Sequence, residues 1–357
     1  MPILMTPGPV ECCPRVLEAA SRALIHHRGP EFHQLFEEIE RKLNEFMGSS
    51  FTAIIAGTGT TAVDAACWSL VSRGERVLVL SFGEFGERMV DTLRRRGAEV
   101  IVLRAPLGDA PTLSEVLSHI DSYGPSTVAL VHNETSTGVI VPYLSELASV
   151  CAERGIKLIV DAVSSALGAP IEMPRSGVWA IAYASHKAMA APPGACFVSM
   201  SSEAAELLEK RQRVDDAPLL LDLARYLSYS KRLETPFTPS ITVLYSVAEA
   251  LKIIEEVGVS RYVDEHRARA EILYRELPQL GLEPLAKRIE LRSPTVAAFT
   301  HPRASRIVEL LRQRGYIVSR GIGELQERVV RIGVMGCITR ENVEALIEEM
   351  RKIVSII

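Results

Sequence analysis

The stretch "IKLIVDAVSS", residues 156–165, carries the pattern from which the fold can be predicted. Its apolar run from Leu158 to Val160 is continuous and ends directly at a carboxylate, Asp161. A continuous apolar run is typical of a strand that is covered on both faces, as strands are in a parallel sheet. The small and polar residues that follow are typical of a turn. We therefore interpret this stretch as a buried strand with an acid at its carboxyl end.

Similar apolar runs lie on both sides of this stretch, and most of them are also continuous rather than alternating. Helical segments that end in glycine, such as residues 60–74 and 143–155, separate many of them. This alternation predicts an α/β fold in which a mostly parallel, seven-stranded sheet is wrapped by helices. The other predicted strands are "FTAIIAG" (51–57), "RVLVLS" (76–81), "EVIVLRA" (99–105), "TVALVHNE" (127–134), "AIAYASHK" (180–187) and "ACFVSM" (195–200).

The pattern changes beyond about Gly258, where short apolar runs such as "PTVAAFTH" and "VVRIGVMG" mix with helical segments. This mixture predicts a second, smaller α+β domain at the C-terminus. We expect three parts: residues 1–15 as a segment that packs with the small domain, residues 16–257 as the large domain, and residues 258–357 as the small domain.

The composition is that of an ordinary soluble globular protein, with 47% hydrophobic and 24% charged residues in a chain of 357. The net charge of −4 gives no electrostatic reason to expect binding to nucleic acid or to an anionic membrane. No apolar run approaches the roughly 20 residues that span a bilayer, and the proline-broken start lacks the basic region of a signal peptide. We therefore expect a cytoplasmic protein that binds neither nucleic acid nor a membrane.

The six cysteines show no metal-ligand spacing, so we expect no metal site and mostly reduced, buried thiols. The chain has only three Asn and five Gln. Depletion of these thermolabile amides is a thermophile trait, and some thermophiles form disulfides inside the cell. The composition therefore leaves the redox state of the cysteines open.

Ligands of such sheets bind at the carboxyl ends of the strands. In "AGTGTTAVDAA", residues 56–66, glycines let the backbone approach an anion and the N-terminus of a helix follows. This pattern predicts a phosphate-binding loop formed by Thr58, Gly59 and Thr60. Two other interpretations stay open: a tight turn capped by threonine, and the dinucleotide fingerprint that Gly57-x-Gly59-x-x-Ala62 formally matches.

Asp161 and Lys187 end two successive predicted strands. A buried carboxylate is costly unless it meets a cation or donors, and a partly desolvated lysine becomes a nucleophile toward aldehydes. Taken alone, Asp161 could cap the next element and Lys187 could form a surface ion pair. Together with the phosphate loop, they match pyridoxal 5′-phosphate, which carries an aldehyde, a pyridine nitrogen and a phosphate.

Arg331 lies in a short predicted strand beside glycines that allow close approach. A guanidinium can bind a carboxylate through two parallel hydrogen bonds, so we predict that Arg331 binds the substrate; the alternative is a surface ion pair. Gly8 either lets the backbone approach a small substrate or belongs to a rigid turn. Three cations border the site or stand at a helix C-terminus: His26, His27 and Arg28.

Several long motifs, in order along nearly the whole chain, resemble those of the class V, fold-type I pyridoxal-phosphate aminotransferases of the alanine–glyoxylate and serine–pyruvate type. Because these motifs are long and keep their order, the resemblance is specific for the family. It is less specific for the substrate. The motifs are "TPGPV", "AGTGTTAVDAA", "FGEFGER", "HNETSTGV", "VDAVSSALGAP", "SHKAMAAPPG", "TPFTPS", "LYS" and "RIGVMGCITRENV".

The resemblance implies a role for each matching residue. Lys187 resembles the lysine that binds the cofactor's aldehyde, Asp161 the partner of the ring nitrogen, and Arg331 the arginine that binds the substrate carboxylate. The other implied cofactor contacts are ring stacking by Phe85 and Val163, phosphate contacts from Thr58, Gly59, Thr60 and His186, and a position beside the phenolic oxygen for Thr135.

The resemblance also implies a homodimer with shared active sites. Thr238 resembles a threonine that reaches the phosphate of the neighbouring subunit. Thr235 stands where some relatives have a tyrosine that also reaches across.

We therefore predict pyridoxal-phosphate-dependent transamination. Because only Arg331 is clearly placed for a carboxylate, we expect small monocarboxylic substrates: alanine or serine as donor, glyoxylate or pyruvate as acceptor. Arg28 could supply a second cation. The nearest alternative is a phosphoserine or 2-aminoethylphosphonate transaminase, and cysteine desulfuration is disfavoured. From other classes, a nicotinamide-dependent oxidoreductase and a non-enzymatic scaffold remain as rivals.

Overall fold

The structure is a computed structural model, and it describes residues 2–171, 173, 177–211 and 216–357. The strands of the large sheet lie at the predicted apolar runs. The strands are β1 (Ile3–Leu4), β2 (Phe51–Gly57), β3 (Arg76–Ser81), β4 (Glu99–Arg104), β5 (Thr127–Val131), β6 (Asn133–Glu134), β7 (Val139–Ile140), β8 (Lys157–Asp161), β9 (Val178–Ala184), β10 (Gly194–Met200), β11 (Glu283–Pro284), β12 (Val296–Thr300), β13 (Tyr316–Ile317), β14 (Ser319–Arg320) and β15 (Val329–Gly333).

The large sheet has the strand order β2–β10–β9–β8–β5–β3–β4. Strand β10 is antiparallel to both of its neighbours, and the other neighbouring pairs are parallel. This confirms the predicted mostly parallel, seven-stranded sheet. The register places Val131, Asp161 and Ala182 side by side at the carboxyl ends of β5, β8 and β9. The carboxyl ends of these strands therefore lie side by side, and a ligand can bind there.

Helices cover both faces of the large sheet, which explains why the central residues of its strands are apolar. Alternate residues of a strand point to opposite faces. In β8, Leu158 and Val160 pack in the core that contains α2, α6 and α9, whereas Ile159 packs in the core that contains α3 and α4. The helices are α1 (Pro14–Ala19), α2 (Pro30–Met47), α3 (Gly59–Leu70), α4 (Glu84–Arg96), α5 (Leu113–Tyr123), α6 (Leu144–Glu153), α7 (Ser202–Arg211), α8 (Leu223–Ser230), α9 (Ile241–Val257), α10 (Val259–Glu276), α11 (Ala304–Gln313) and α12 (Arg340–Val354).

The C-terminal part of the chain forms its own antiparallel sheet, with the order β11–β12–β15–β14. Helices α10, α11 and α12 pack on this sheet, and a separate apolar core includes Leu273, Ile307 and Leu346. Arg331 lies in the middle of β15, opposite Ala298 and Ser319. The α+β character predicted for this region is therefore present, while the boundaries at 16–257 and 258–357 stay predictions.

The start of the chain is tied to this C-terminal part. Strand β1 pairs in parallel with β13, and the amide of Gly333 donates to the carbonyl of Met5 at 2.8 Å. A disulfide joins Cys13 to Cys337, whose Cα atoms are 5.3 Å apart. The sequence favoured mostly reduced cysteines but left their redox state open, and this pair is oxidised, because a β-bridge between residues 11 and 336 brings the two side chains together. The remaining cysteines are free: Cys12, Cys67, Cys151 and Cys196.

No helix in the described ranges is long and apolar enough to cross a membrane. The described residues also contain no group of three or more His, Cys, Asp or Glu side chains that could hold a metal ion.

Candidate active site

A cavity of about 210 Å³ opens at the carboxyl ends of β5, β8 and β9, beside the first turn of α3. In sheets of this kind, ligands bind at the carboxyl ends of the strands. The cavity brings together residues that are far apart in the sequence. Its walls include nine residues that the sequence singled out: Thr58, Gly59, Thr60, Phe85, Thr135, Asp161, Val163, His186 and Lys187.

The glycine loop before α3 is shaped by close contacts that a side chain would block. A Cβ atom on Gly57 would lie 2.5 Å from the hydroxyl of Thr61, and one on Gly59 would lie 2.6 Å from Val163. The amide of Thr58 donates to that same hydroxyl at 3.2 Å. The first amides of a helix lack partners within it and carry the positive end of the helix dipole. The threonine-capped turn is therefore present, and the first turn of α3 that it caps borders the cavity, where its amides could bind an anion.

Lys187 lies in the turn that follows β9 and is only 8% exposed. Its Nζ atom donates to the carbonyl of Pro7 at 2.7 Å. Burial, followed by the charge of Arg331, lowers the pKa of Lys187 to about 8, and Asp161 opposes this shift. A lysine with such a pKa carries a substantial fraction of neutral, nucleophilic amine near neutral pH. The interpretation of Lys187 as a surface ion-pair lysine is excluded by its burial.

Asp161 is the last residue of β8, and it is 6% exposed. Its Oδ1 atom accepts a hydrogen bond from the amide of Val163 at 2.9 Å. Burial raises the pKa of Asp161 to about 7; the Val163 amide opposes this, the charge of Glu134 adds to it, and Lys187 opposes it. A buried carboxylate with a raised pKa is stabilised as an anion when a cation binds beside it. Asp161 is therefore suited to hold a cationic ring nitrogen in the cavity.

His186 precedes Lys187 and also borders the cavity. Burial, and next the charge of Lys187, lower the pKa of His186 to about 4, so its ring is neutral at physiological pH. Its Nδ1 atom is buried and has no hydrogen-bond partner in the described part of the chain. A buried polar atom without a partner is costly, and a ligand in the cavity can supply the missing hydrogen bond.

Arg331, in β15, is not among the residues that line the cavity, but it contacts Thr135, which is. Its Nη1 atom donates to the carbonyl of Thr135 at 3.1 Å, and its Nε atom donates to the carbonyl of Arg320 at 2.8 Å. Burial lowers the pKa of Arg331 to about 10, although the charge of Glu134 opposes the shift. A buried guanidinium whose hydrogen bonds go to carbonyls still requires a counter-charge, which a substrate carboxylate can supply.

Gly8 lies directly against the lysine. A Cβ atom built on Gly8 would be 2.5 Å from the Nζ atom of Lys187, and the φ angle of Gly8 is +141°. The φ angle favours glycine at this position, and any side chain here would displace the lysine amine. The N-terminal segment thus covers Lys187 at its closest point.

Other predicted residues lie outside this cavity. Thr238 is exposed, and the Thr235 hydroxyl donates to the carbonyl of Phe237 at 2.7 Å within its own loop. Arg28 donates to the Glu234 carboxylate at 2.5 Å and to the Thr235 carbonyl at 2.9 Å. His26, His27 and Arg28 lie between α1 and α2, so the alternative that placed them at a helix C-terminus is wrong.

Several residues that line the cavity were not predicted from the sequence. Arg88 lies one turn after Phe85 on α4, and its guanidinium carbon is 4.8 Å from the centre of that ring. Asp64, on α3, accepts a hydrogen bond from the hydroxyl of Thr92 at 2.8 Å. A signal was available, because Phe85, Arg88 and Thr92 share one face at helical spacing. The remaining residues are Val63, Met89 and Val131.

Comparison with known proteins places this arrangement in a family. The chain matches the Aminotransferase class-V family over residues 15–346. It is 32% identical to the alanine–glyoxylate aminotransferase of Oryctolagus cuniculus over 362 residues, which cover 98% of this chain and 92% of that protein.

Two solved structures have the same fold over nearly their whole length. An alanine–glyoxylate aminotransferase from Nostoc sp. has a TM-score of 0.92 and 33% identity, covering 99% of this chain and 95% of that one. An aspartate aminotransferase of subgroup IV from Thermus thermophilus has a TM-score of 0.90 and 32% identity, covering 99% of each chain. Since the family match spans most of the sequence, the chain belongs to the class-V aminotransferase family.

Proposed function

We propose that the chain catalyses pyridoxal-phosphate-dependent transamination between alanine or serine and a small 2-oxo acid, glyoxylate or pyruvate. We infer the substrate class from Arg331. Its buried guanidinium donates to two backbone carbonyls, and its charge acts on Lys187. One such cation matches one substrate carboxylate. The relatives named alanine–glyoxylate aminotransferase support the same substrate pair.

The residues of the cavity fit pyridoxal phosphate. The glycine loop and helix N-terminus match the phosphate, and Thr58, Gly59 and Thr60 would contact it. The Nδ1 atom of His186 has no partner in the described part of the chain, and in the tautomer that carries its proton there it would donate to the phosphate. Phe85 and Val163 would cover the two ring faces, Thr135 would lie beside the phenolic oxygen, and Asp161 would pair with the ring nitrogen.

When bound, pyridoxal phosphate acts as an electron sink that makes the α-proton of an amino acid acidic. Lys187 would hold the cofactor by its aldehyde, and its amine is the group that would move the proton, as a general base and then a general acid. Asp161 would pair as an anion with the protonated ring nitrogen and would hold the proton there. Arg331 would orient the substrate by its carboxylate, and Gly8, which has no side chain, would let the backbone approach a small substrate beside the amine.

The pairing of Arg28 supports monocarboxylic rather than dicarboxylic substrates. Its guanidinium is bonded to Glu234 and to a backbone carbonyl within the same chain, so its charge is already balanced. The alternatives are aspartate, as in the name of the Thermus thermophilus relative, and phosphoserine or 2-aminoethylphosphonate.

A substrate panel tests this function. The donors are alanine, serine, aspartate, phosphoserine and 2-aminoethylphosphonate, each assayed with glyoxylate, pyruvate and 2-oxoglutarate. We expect the highest kcat/KM for alanine or serine with glyoxylate or pyruvate. A preference for aspartate with 2-oxoglutarate, or for a phosphorylated donor, would reject the proposed substrates. A colourless protein that binds no pyridoxal phosphate would instead support the oxidoreductase or scaffold alternatives.

Replacing Arg331 with alanine is expected to raise KM for the amino acid and lower kcat/KM. Loss of a charge-assisted contact costs about 1.5–3 kcal/mol, which corresponds to roughly a tenfold to a hundredfold loss. Cofactor absorbance should not change, because Arg331 is not among the residues that line the cavity. Arg331→Lys is the matched control, since it keeps the charge but lacks the fork and should lose less. Loss of the cofactor with normal alanine binding would assign Arg331 to the phosphate.

We further propose a homodimer in which Thr238 contacts the phosphate of the other subunit. Thr238 is exposed and absent from the cavity of its own chain, as expected of a residue that acts across an interface. Closed two-fold symmetry would make the exchange reciprocal. The cytoplasmic location and thermophilic origin stay sequence-based predictions.

Mixing two inactive variants tests this exchange. Lys187→Ala removes the amine, and Thr238→Glu is expected to repel the phosphate. A mixed dimer then holds one doubly damaged site and one intact site, so up to half of the activity per dimer should return. Each variant refolded alone is the control. Absence of recovery despite demonstrated subunit exchange, or full activity of a monomer in light scattering, would contradict the proposal.

A further inference from the structure

Glu134 is a fully buried carboxylate that the proposed chemistry does not use. It is the last residue of β6 and directly precedes Thr135. Its Oε2 atom accepts hydrogen bonds from the amides of Phe85 and Gly86, both at 3.1 Å. Its Oε1 atom accepts from the amide of Ser136 at 3.0 Å and from the Ser136 hydroxyl at 2.5 Å.

These bonds place a carboxylate at the N-terminus of α4. The first amides of a helix lack partners within it, and an anion there is stabilised by the helix dipole. The amide of Glu84 is satisfied by the same cluster, since it donates to the Ser136 hydroxyl at 3.0 Å. Gly83, which precedes the helix, allows this approach: a Cβ atom there would lie 2.4 Å from the side chain of Glu134. The helix start and the loop after β6 are thus packed without room for adjustment.

This cluster joins two walls of the cavity. Phe85 borders the cavity from α4, and its amide is bonded to the Glu134 side chain. Thr135 borders it from the neighbouring loop and is linked to Glu134 by the chain itself. The carbonyl of Thr135 also accepts the hydrogen bond from Arg331. The Glu134 carboxylate therefore fixes the position of Phe85 relative to Thr135, and through the Thr135 carbonyl relative to Arg331.

We propose that Glu134 is a positioning residue that fixes Phe85 and Thr135 against the cofactor ring. This inference rests on the proposed function, because it assigns Glu134 to the binding of pyridoxal phosphate through residues that line its cavity. The competing interpretation is that Glu134 only caps a helix. A cap would affect the stability of the fold, whereas a positioning residue also affects how tightly and in what orientation the cofactor is held.

Glu134→Gln distinguishes the two roles. The glutamine side chain can place its NH₂ group on either side of the cluster. On one side this group faces the amides of Phe85 and Gly86, and on the other it faces the amide and hydroxyl of Ser136. In both orientations two donors lose their acceptor. We expect the variant to bind pyridoxal phosphate roughly tenfold more weakly than the wild type, by equilibrium titration of the apo-protein. The visible circular dichroism of the bound cofactor should also decrease, because this signal reports the asymmetry of the ring's surroundings.

Glu75→Gln is the matched control. Glu75 is a second largely buried carboxylate that accepts a backbone hydrogen bond, from the amide of Ser72 at 2.9 Å. Its carboxylate pairs with the Nζ atom of Lys157 at 2.6 Å. Glu75 lies directly before β3, at the amino ends of the strands and so away from the cavity. This control should lower the melting temperature while cofactor affinity and dichroism keep their wild-type values. If Glu134→Gln behaves in the same way, Glu134 is only a cap and the proposal is wrong.

If Glu134→Gln does not fold, Ser136→Ala replaces it, because this change removes one donor to Glu134 and the acceptor of the Glu84 amide. We expect about a two- to fivefold loss of pyridoxal phosphate affinity with reduced dichroism. Wild-type affinity and dichroism in the folded Ser136→Ala variant would overturn the proposal. The proposed function fails separately, since a wild-type protein that binds no pyridoxal phosphate would refute it before any variant is compared.

Discussion

Replacing Lys187 with alanine is expected to abolish transamination. The amine is buried, its pKa is about 8, and it lies in the cavity with Asp161. Under the proposed function it both binds the cofactor and moves the proton, so no other group in the site can replace it. Activity should fall below detection, while the fold survives because the change removes a desolvated charge and leaves the surrounding core intact.

Borohydride reduction followed by peptide mapping checks this assignment. In the wild type, reduction should fix the cofactor on Lys187, and the Lys187→Ala protein should carry no label. Lys157→Ala is a suitable control, since Lys157 is another partly buried lysine whose pKa is lowered by burial and which pairs with Glu75. A label on Lys157 or Lys210 would refute the site assignment.

The pH dependence of cofactor capture follows from the same group. The neutral amine is the nucleophile, and its fraction rises as pH passes the pKa of Lys187. Capture of pyridoxal phosphate by the apo-protein should therefore accelerate with pH and level off above about pH 8.

Replacing Asp161 with asparagine is expected to lower kcat by roughly a hundredfold to a thousandfold, the loss typical of a removed electrostatic contact to developing charge. A neutral amide cannot hold a proton on the ring nitrogen. Some cofactor should remain bound, because Lys187 and the phosphate loop are unchanged. A variant with near wild-type kcat would contradict the role of Asp161.

Stability gives an independent measurement on the ligand-free protein. The pKa of Asp161 is raised in the folded state to about 7, mainly by burial. The folded state therefore binds more protons than the unfolded state between the two pKa values, and stability falls as pH rises through about 7. Asp161→Asn removes this loss, so its melting temperature should exceed that of the wild type by more at pH 8 than at pH 5. Added pyridoxal phosphate should reverse this difference in favour of the wild type.

The sheet and the two residues at its edge could be predicted from the sequence. Their signals are local, because a buried parallel strand is a short, continuous apolar run and the residue that ends it stands next to it in the chain. Asp161 follows such a run directly, and Lys187 follows the next one. The phosphate loop is equally local, since a strand, two glycines and the first turn of a helix lie within residues 51–61.

The tertiary structure alone decided which distant groups meet these residues. Pro7, whose carbonyl accepts the hydrogen bond from Lys187, lies 180 residues away in the sequence, and Arg331 lies 196 residues from Thr135. The pairing of Arg28 with Glu234, the disulfide between Cys13 and Cys337 and the hydrogen bonds from the Phe85 and Gly86 amides to Glu134 also join groups that are far apart in the sequence. Hydrophobic periodicity records which face of an element is buried but not which element covers it. The contacts of Pro7, Arg331 and Cys337 form only when the N-terminal segment or the C-terminal part packs against its partner, whereas those of Arg28 and Glu134 form between elements around the large sheet.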